Sequence, residues 1–229
     1  MALGAVKRNR VNGARPAGRR GRAAGSRDSR ARILAAAAVE FSAGGFAGAG
    51  IDRIARRARL NKAMIYYHFK SKQALYVVVL EDVFAALGAR LRTVASGPGS
   101  PAQKIDALID ALARAVDAQP CFVPVMLREL AEGGPRLRRQ TLGLIAGIFR
   151  LVGTILAEGT RAGVFKPIDP VLAYATMMGP IVMFRASAPV RARIGRLKIA
   201  ELSAIDSGAL VRHLQAVTRR MLCQQPPHA

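Results

Sequence analysis

The sequence predicts an all-α fold, and three observations carry that reading. From about Ser29 onward, apolar residues recur three and four positions apart, the spacing of a helix face, and no stretch alternates with the period of a strand. The periodic segments open on residues that cap helices, among them Ser29, Asn61, Ser71, Ser100 and Asp169. They close on Gly44-Gly45, Gly133-Gly134 and Gly163, residues that end helices well.

Taken in order, Ser29 caps a first helix whose apolar face is Ile33, Leu34, Ala37, Ala38 and Phe41, ended by Gly44-Gly45. A short second helix spans about Ile51 to Ala58, with Ile51, Ile54, Ala55 and Ala58 on one side. Arg59 to Asn61 separate it from a third, about Lys62 to Tyr67, for which Asn61 is a good N-cap. Ser71 opens a fourth helix carrying Leu75, Val78, Val79, Val83 and Leu87. The stretch "ASGPGSP", residues 95–101, breaks the pattern and sets the boundary between a first domain, 28–88, and a larger second one, 96–225.

In the second domain, Ser100, Pro101 and Gln103 form a helix start with proline in the first position and a capping-box glutamine. Its stripe is Ile105, Leu108, Ile109, Leu112 and Val116. A helix over about Phe122 to Ala131 follows, then a long one from about Pro135 to Ala162. Asp169-Pro170 opens "VLAYATMMGPIVMF", which is apolar nearly all round and is therefore expected to be mostly buried. Asp206 or Ser207 starts the last helix, with Leu210, Leu214, Val217, Met221 and Leu222 on one face.

Charge says more about partners than about fold. Lys and Arg number 36 against 14 Asp and Glu in 229 residues, giving a formal net charge of +22 and a pI near 11.6. Such an excess implies a polyanionic partner, nucleic acid or an anionic membrane surface. It is concentrated in residues 1–27, where Lys7, Arg8, Arg10, Arg15, Arg19, Arg20, Arg22 and Arg27 are interrupted by Gly and Pro. That composition reads as a disordered basic arm. The arm suits either a solvated tail or contact with DNA phosphates or the minor groove, and the motif beside it favours DNA.

Other classes are set aside. Cys121 and Cys223 lie far apart with no Cys-x-x-Cys, which suits a reducing cytosol and argues against a disulfide framework or a zinc site. No apolar h-region follows the basic segment. The apolar run Leu142 to Leu156 is interrupted by Arg150, and Val171 to Phe184 is short and contains Pro180, so no membrane span is expected. His68, His213 and His228 have no acid or nucleophile arranged with them, and no phosphate loop or metal spacing is present. The chain is expected to be a cytoplasmic, nucleoid-associated protein, to require no cofactor or metal, and not to be an enzyme.

The residues that do carry chemistry lie in "RLNKAMIYYHFKSKQAL", residues 59–75. Only 5% of the chain is aromatic, yet Tyr66, Tyr67 and Phe69 gather here around His68, with Lys62, Lys70 and Lys72. Two short helices joined by a tight turn and braced by longer ones are what a helix-turn-helix requires, here at about 50–69. Ile65 and Phe69 are spaced to pack inward, leaving Lys62, Ala63, Met64, Tyr66 and Tyr67 available. Tyr, His and Lys side chains can donate to phosphate oxygens, which fixes register without reading sequence. Ser71 and Lys72 also place a helix N-terminus and an ammonium together, a ready anion site. His68 suits equally a packed ring or a phosphate contact; Tyr66 suits part core and part contact, Tyr67 is the better candidate for DNA, and Met64 can touch a thymine methyl or pack in the groove.

From about Ser29 to Leu80, and above all in "IDRIARRARLNKAMIYYHFKSKQALY", the chain resembles the DNA-binding domain of the tetracycline-repressor-like (TetR) family. The resemblance implies an N-terminal three-helix DNA-binding domain with the helix-turn-helix, joined to a larger helical ligand-binding and dimerisation domain. It implies that Lys62, Ala63 and Met64 face the major groove, and that Tyr66, Tyr67, His68 and Lys72 make backbone and flanking contacts. Gly50, Ile51 and Arg53, at the start of the second helix, also fall where such a domain meets DNA. Two positions depart from the family's pattern. Arg59 stands where a glycine is usual, at an expected cost of about 1 kcal/mol for a left-handed residue. Ala49-Gly50 stands where Ser or Thr often caps the second helix, so a hydroxyl contact is lost.

The resemblance further implies a homodimer through the helices near 169–185 and 207–223, and a pocket among the helices between 101 and 163. Pocket candidates are Leu112, Phe122, Met126, Leu144, Ile148, Phe149, Tyr174 and Met178, with Arg150 a further polar candidate; ordinary core is the competing reading for each. The expected function is a dimeric transcriptional regulator, a repressor released from a palindromic double-stranded DNA operator by a small, mostly apolar effector. The alternative, suggested by the basic arm, is a sequence-tolerant nucleoid-type DNA-binding protein.

Overall fold

A computed structural model describes residues 18–199 and 205–223. It contains α1 (Gly18–Gly48), α2 (Ile51–Ala58), α3 (Lys62–Phe69), α4 (Lys72–Ser96) and α5 (Pro101–Ala118). Beyond them lie α6 (Phe122–Ala131), α7 (Arg139–Arg161), α8 (Pro170–Ala186), α9 (Ala188–Arg196) and α10 (Ser207–Leu222). Among the described residues the extended pairing is a lone bridge between Phe165 and Cys223.

Most starts are those the caps predict. Asn61 accepts from Met64 N, Ser71 from Ala74 N, and Asp169 from the amides of Val171 and Leu172. At Ser100 the full capping box forms with Gln103. Each side chain satisfies an amide that the first helical turn leaves without a partner.

Several boundaries differ from the sequence reading. The first helix begins at Gly18, so Ser29 lies inside it, buried, and residues 18–27 are helical where a disordered arm was expected. Ala and Arg are strong helix formers and outweigh the glycines there. The rest of the expected arm, residues 1–17, lies outside the described residues, as do 224–225 and His228. The domain boundary at 88 falls within α4, because Leu87, Leu91 and Val94 keep the helical period across Gly88. The long seventh helix starts at Arg139 rather than Pro135: Arg136 is drawn onto Glu129, and its backbone amide also donates to that carboxylate at 3.4 Å. The short, Arg-rich α9 was not foreseen.

The expectation that α8 is mostly buried fails. Ala173, Met177, Met178 and Ile181 are buried, but Leu172 and Met183 are 63% and 62% exposed. A helix apolar all round has no stripe to say which face turns inward, and the rest of this chain covers one face only. In α10, Leu214 is buried whereas Val217 is exposed.

α4 packs along α7 and α5, and α5 along α8 and α10, while α1, α2 and α3 form the smaller unit beside the start of α4. α7 is long and apolar enough to cross a membrane by length and composition; here it lies against α4, α5 and α8. Where α7 ends, Phe165 folds onto Gly159, and a side-chain carbon at Gly159 would collide with the ring.

The two units meet through α6. Gly45, at φ 66°, breaks α1, and Arg128 of α6 donates to the carbonyls of Phe41, Ser42 and Ala43 at 3.3, 2.5 and 3.2 Å. A cation at a helix C-terminus is favoured by the exposed carbonyls there. One residue on, Glu129 is 1% exposed. Its carboxylate accepts from Tyr76 Oη at 2.8 Å and from Arg136 Nη1 at 2.9 Å. A buried carboxylate is costly unless so paired. The Arg136 guanidinium also stacks 4.6 Å from the Phe46 ring, which meets Tyr76 edge-on.

Candidate nucleic-acid interface

The turn between α2 and α3 places the exposed residues. Arg59 takes the left-handed conformation, φ 54° and ψ 45°, expected at a position where the resembled family usually carries glycine. Its amide closes onto the carbonyls of Ala55 and Arg56. Arg32 of α1 then clamps the turn: Nε donates to Ala58 O at 3.1 Å, and Nη2 donates to Ala58 O at 2.6 Å and Arg59 O at 3.0 Å. These bonds offset the roughly 1 kcal/mol that the left-handed residue costs.

On α3, Ile65 and Phe69 are buried and lock the helix against α1 and α4. Lys62, Ala63, Tyr66 and Tyr67 are exposed, Tyr67 at 69%, and Met64 is half-buried against the core. His68 is half-buried; its Nε2 faces inward with no hydrogen-bond partner, and the ring meets Tyr67 edge-on at 5.1 Å. Only the other ring nitrogen is then left to serve a phosphate. Lys62 pairs with Asp52 of α2 at 3.1 Å, and that hydrogen bond raises its pKa.

At the start of α2, Gly50 caps the helix with extended backbone and no side-chain bond, and Ile51 is half-buried. Arg53 is held at both ends: Nε bonds Glu40 at 2.9 Å and Nη2 bonds the Gly48 carbonyl. Arg57 bonds the other oxygen of Glu40 at 3.0 Å. The carboxyl of Glu40 is held below its ordinary value, chiefly by the Arg53 hydrogen bond, and burial opposes the shift.

The anion site expected at Ser71 and Lys72 takes another form. Ser71 caps α4, but the Lys72 ammonium turns back to the Ala47 carbonyl at 3.2 Å, 4.8 Å from the Phe46 ring. Burial, with Arg53 and Arg136 nearby, lowers its pKa. Sequence reasoning missed Arg30, exposed and 5.4 Å from the Phe69 ring, and it missed the Arg32 clamp and the Glu40 pair. The one available signal was Glu40 itself, an acid beside the apolar stripe of α1.

Of the pocket candidates, Leu112, Phe122, Met126, Ile148 and Met178 are packed in the core. Phe149 and Tyr174 meet edge-on at 5.3 Å, and burial pushes the Tyr174 hydroxyl well above its ordinary pKa. Leu144 and Ile148 also line a cleft of about 300 Å³ between α4 and α7, together with Phe84, Arg92 and Arg150. Burial raises the Cys121 thiol, which disfavours the reactive thiolate. Among the described residues no three His, Cys, Asp or Glu side chains gather to hold a metal.

A model of the bacterial regulatory proteins of the tetR family matches residues 33–79, and a model of the tetracyclin repressor-like C-terminal domain matches residues 98–183. The HTH-type transcriptional repressor NicS of Pseudomonas putida is 32% identical over 156 residues, covering 66% of this chain and 71% of NicS. The chain belongs to the TetR family. As a TetR regulator it is a DNA-binding, helix-turn-helix transcriptional regulator, and its relatives are regulators rather than enzymes. The HTH-type transcriptional regulator RutR of Escherichia coli is 28% identical over 170 residues, 74% of this chain and 75% of RutR. The TetR fold extends to FadR of Bacillus subtilis, solved with stearoyl-CoA. FadR superposes with a TM-score of 0.67 at 18% identity, over 83% of this chain and 98% of FadR.

Proposed function

We propose that this TetR regulator is a homodimeric repressor that sits on a palindromic operator and is released by a small, mostly apolar effector. The observation that carries it is the division of α3: Ile65 and Phe69 are sealed inside while Lys62, Ala63, Tyr66 and Tyr67 stand exposed on a helix held by the Arg32 clamp. Lys62, Ala63 and Met64 read the major groove, and Tyr66 and Tyr67 donate to phosphates. Gly50 and Ile51 bring α2 to the backbone. Arg53, Lys72 and His68, each engaged within the protein, hold the reading head in shape and contribute charge or one ring nitrogen to DNA.

The dimer forms through α8 and α10, where Leu172, Met183 and Val217 remain exposed. The effector is received among Leu112, Phe122, Met126, Leu144, Ile148, Phe149, Tyr174 and Met178. That NicS is named a repressor and that FadR was solved with an acyl-CoA support the two halves of this reading. The protein acts in the cytoplasm on the nucleoid, away from membranes. Nuclease protection on operators selected from random duplexes tests the proposal. A short palindrome protected at low concentration is expected; uniform protection of any duplex establishes the nucleoid-type alternative instead.

A further inference from the structure

The cleft between α4 and α7 has a chemistry that the core candidates lack. Its floor is Phe84, Leu144, Ile148 and Leu151, all buried or half-buried, and Thr154 closes one side. Two guanidiniums stand at its edge, Arg92 from α4 and Arg150 from α7. Each folds over a glycine of its own helix that shares the cleft. A side-chain carbon at Gly88 would lie 3.5 Å from Arg92 Nη1, and one at Gly147 would lie 3.7 Å from Arg150 Nη2. Among the described residues neither guanidinium forms an ion pair or a side-chain hydrogen bond, and no acid lines the cleft.

In a chain with 36 cationic and 14 acidic residues, a guanidinium without an acid is ordinary. Convergence is not: these two come from facing helices onto one apolar floor. Guanidiniums bind carboxylate and phosphate oxygens in parallel pairs of charge-assisted hydrogen bonds. An apolar floor favours an alkyl or aryl tail in proportion to the area it covers. A volume of about 300 Å³ lies at the small end of ligand sites, roughly 300–1,000 Å³.

We propose that the α4–α7 cleft binds a small amphiphilic anion, a carboxylate or phosphate monoester with a medium-length apolar tail. The anionic head lies between Arg92 and Arg150, and the tail lies on Phe84, Leu144, Ile148 and Leu151. The proposal rests on the effector half of the functional reading: it seats the effector on Leu144 and Ile148, the two pocket candidates that line the cleft, and gives it a charge. α4 begins beside the reading head at Ser71, so a ligand on its far half acts on the helix that carries the DNA-binding unit.

The test is calorimetric titration of the full chain with octanoate, octyl phosphate, octanol and octylamine, repeated on R92Q, R150Q and the double variant. Both anions are expected to bind the wild type, octanol and octylamine to bind about tenfold more weakly, and each substitution to weaken the anions about tenfold. Preference for octanoate or for octyl phosphate identifies the head group. Equal binding of octanol and octanoate, or anion affinity unchanged in the double variant, overturns the proposal. Gel retardation without ligand keeps the two readings apart: the variants are expected to bind operator as the wild type does, since neither arginine belongs to α1–α3. Arginine-dependent octanoate binding that leaves operator affinity unchanged supports the site and removes it from the release mechanism.

Discussion

Tyr76 Oη donates a 2.8 Å hydrogen bond to the carboxylate of Glu129, joining α4 of the first unit to α6 of the second. Burial and the neighbouring carboxylate raise the phenol well above its ordinary pKa, so it stays protonated and remains a donor across the physiological range. Tyr76→Phe leaves the ring contacts with Phe41 and Phe46 and removes only the donor. It is expected to destabilise the fold by about 1.5–3 kcal/mol, the range for a hydrogen bond to a charged group. Urea denaturation checks this; an unchanged midpoint would mean that Arg136 alone satisfies Glu129.

A second expectation follows from Glu40. Its carboxyl is held below its ordinary value of 4.5 by Arg53 and Arg57. A depressed folded-state pKa contributes stability that is present above the unfolded value and lost as pH falls through the folded one. The wild type is therefore expected to exceed Glu40→Gln by about 1–2 kcal/mol at pH 7, with the arginines' exposure holding the figure down. The gap should close below pH 4.5. Thermal denaturation of both proteins from pH 7 to pH 3 measures it, and a constant gap would contradict the assignment.

On α3, the proposed recognition helix, Lys62→Ala and Tyr67→Phe are expected to weaken operator binding by about 1–3 kcal/mol and about 1 kcal/mol, with melting temperature unchanged. Both side chains are exposed, so neither supports the core. Gel retardation on the selected operator is the measurement, and two variants with wild-type affinity would show that α3 does not enter the groove.

The proposed dimer is tested on residues that the chain leaves exposed. Leu214 is core, so Leu214→Glu would unfold the chain and report nothing about association. Leu172→Glu and Val217→Glu act on exposed positions of α8 and α10. Together they are expected to give folded monomers with much reduced operator affinity, since one half-site supplies too few contacts. Sedimentation equilibrium decides; an intact dimer places the interface elsewhere.

The basic segment is tested through salt. Removing residues 1–17 takes away Lys7, Arg8, Arg10 and Arg15. Each phosphate contact contributes about −0.9 to the slope of log K against log salt. A slope smaller by several units per dimer, with sequence preference retained, is expected on operator and random DNA alike. Identical slopes would reduce the segment to a solubilising tail.

The helix-turn-helix was legible because each of its parts leaves a local mark: Asn61 and Ser71 as caps, Ile65 and Phe69 at inward spacing, aromatics gathered where the chain is otherwise poor in them. What escaped the sequence is what depends on partners far along the chain. Arg32 reaches Ala58 and Arg59, and Arg128 reaches Phe41 to Ala43, across separations that periodicity does not see. The exposed side of α8 was hidden for the opposite reason, since apolar residues on every face give no direction. The start of α7 moved because Glu129 claims Arg136, a tertiary pull on residues whose local pattern is helical.

α4 runs unbroken from Lys72 to Ser96, rooted in the reading head at one end and flanked by α7 at the other. Its 25 residues at 1.5 Å each make a rod of about 37 Å. Such a rod is a lever: tilting it by about 5° about one end carries the other through roughly 3 Å. In the proposed dimer the displacement is doubled, about 6 Å against the roughly 34 Å between half-sites one turn apart. A shift no larger than the width of a side chain, made where α4 meets α7, would thus be enough to put the two reading heads of that dimer out of step with the duplex.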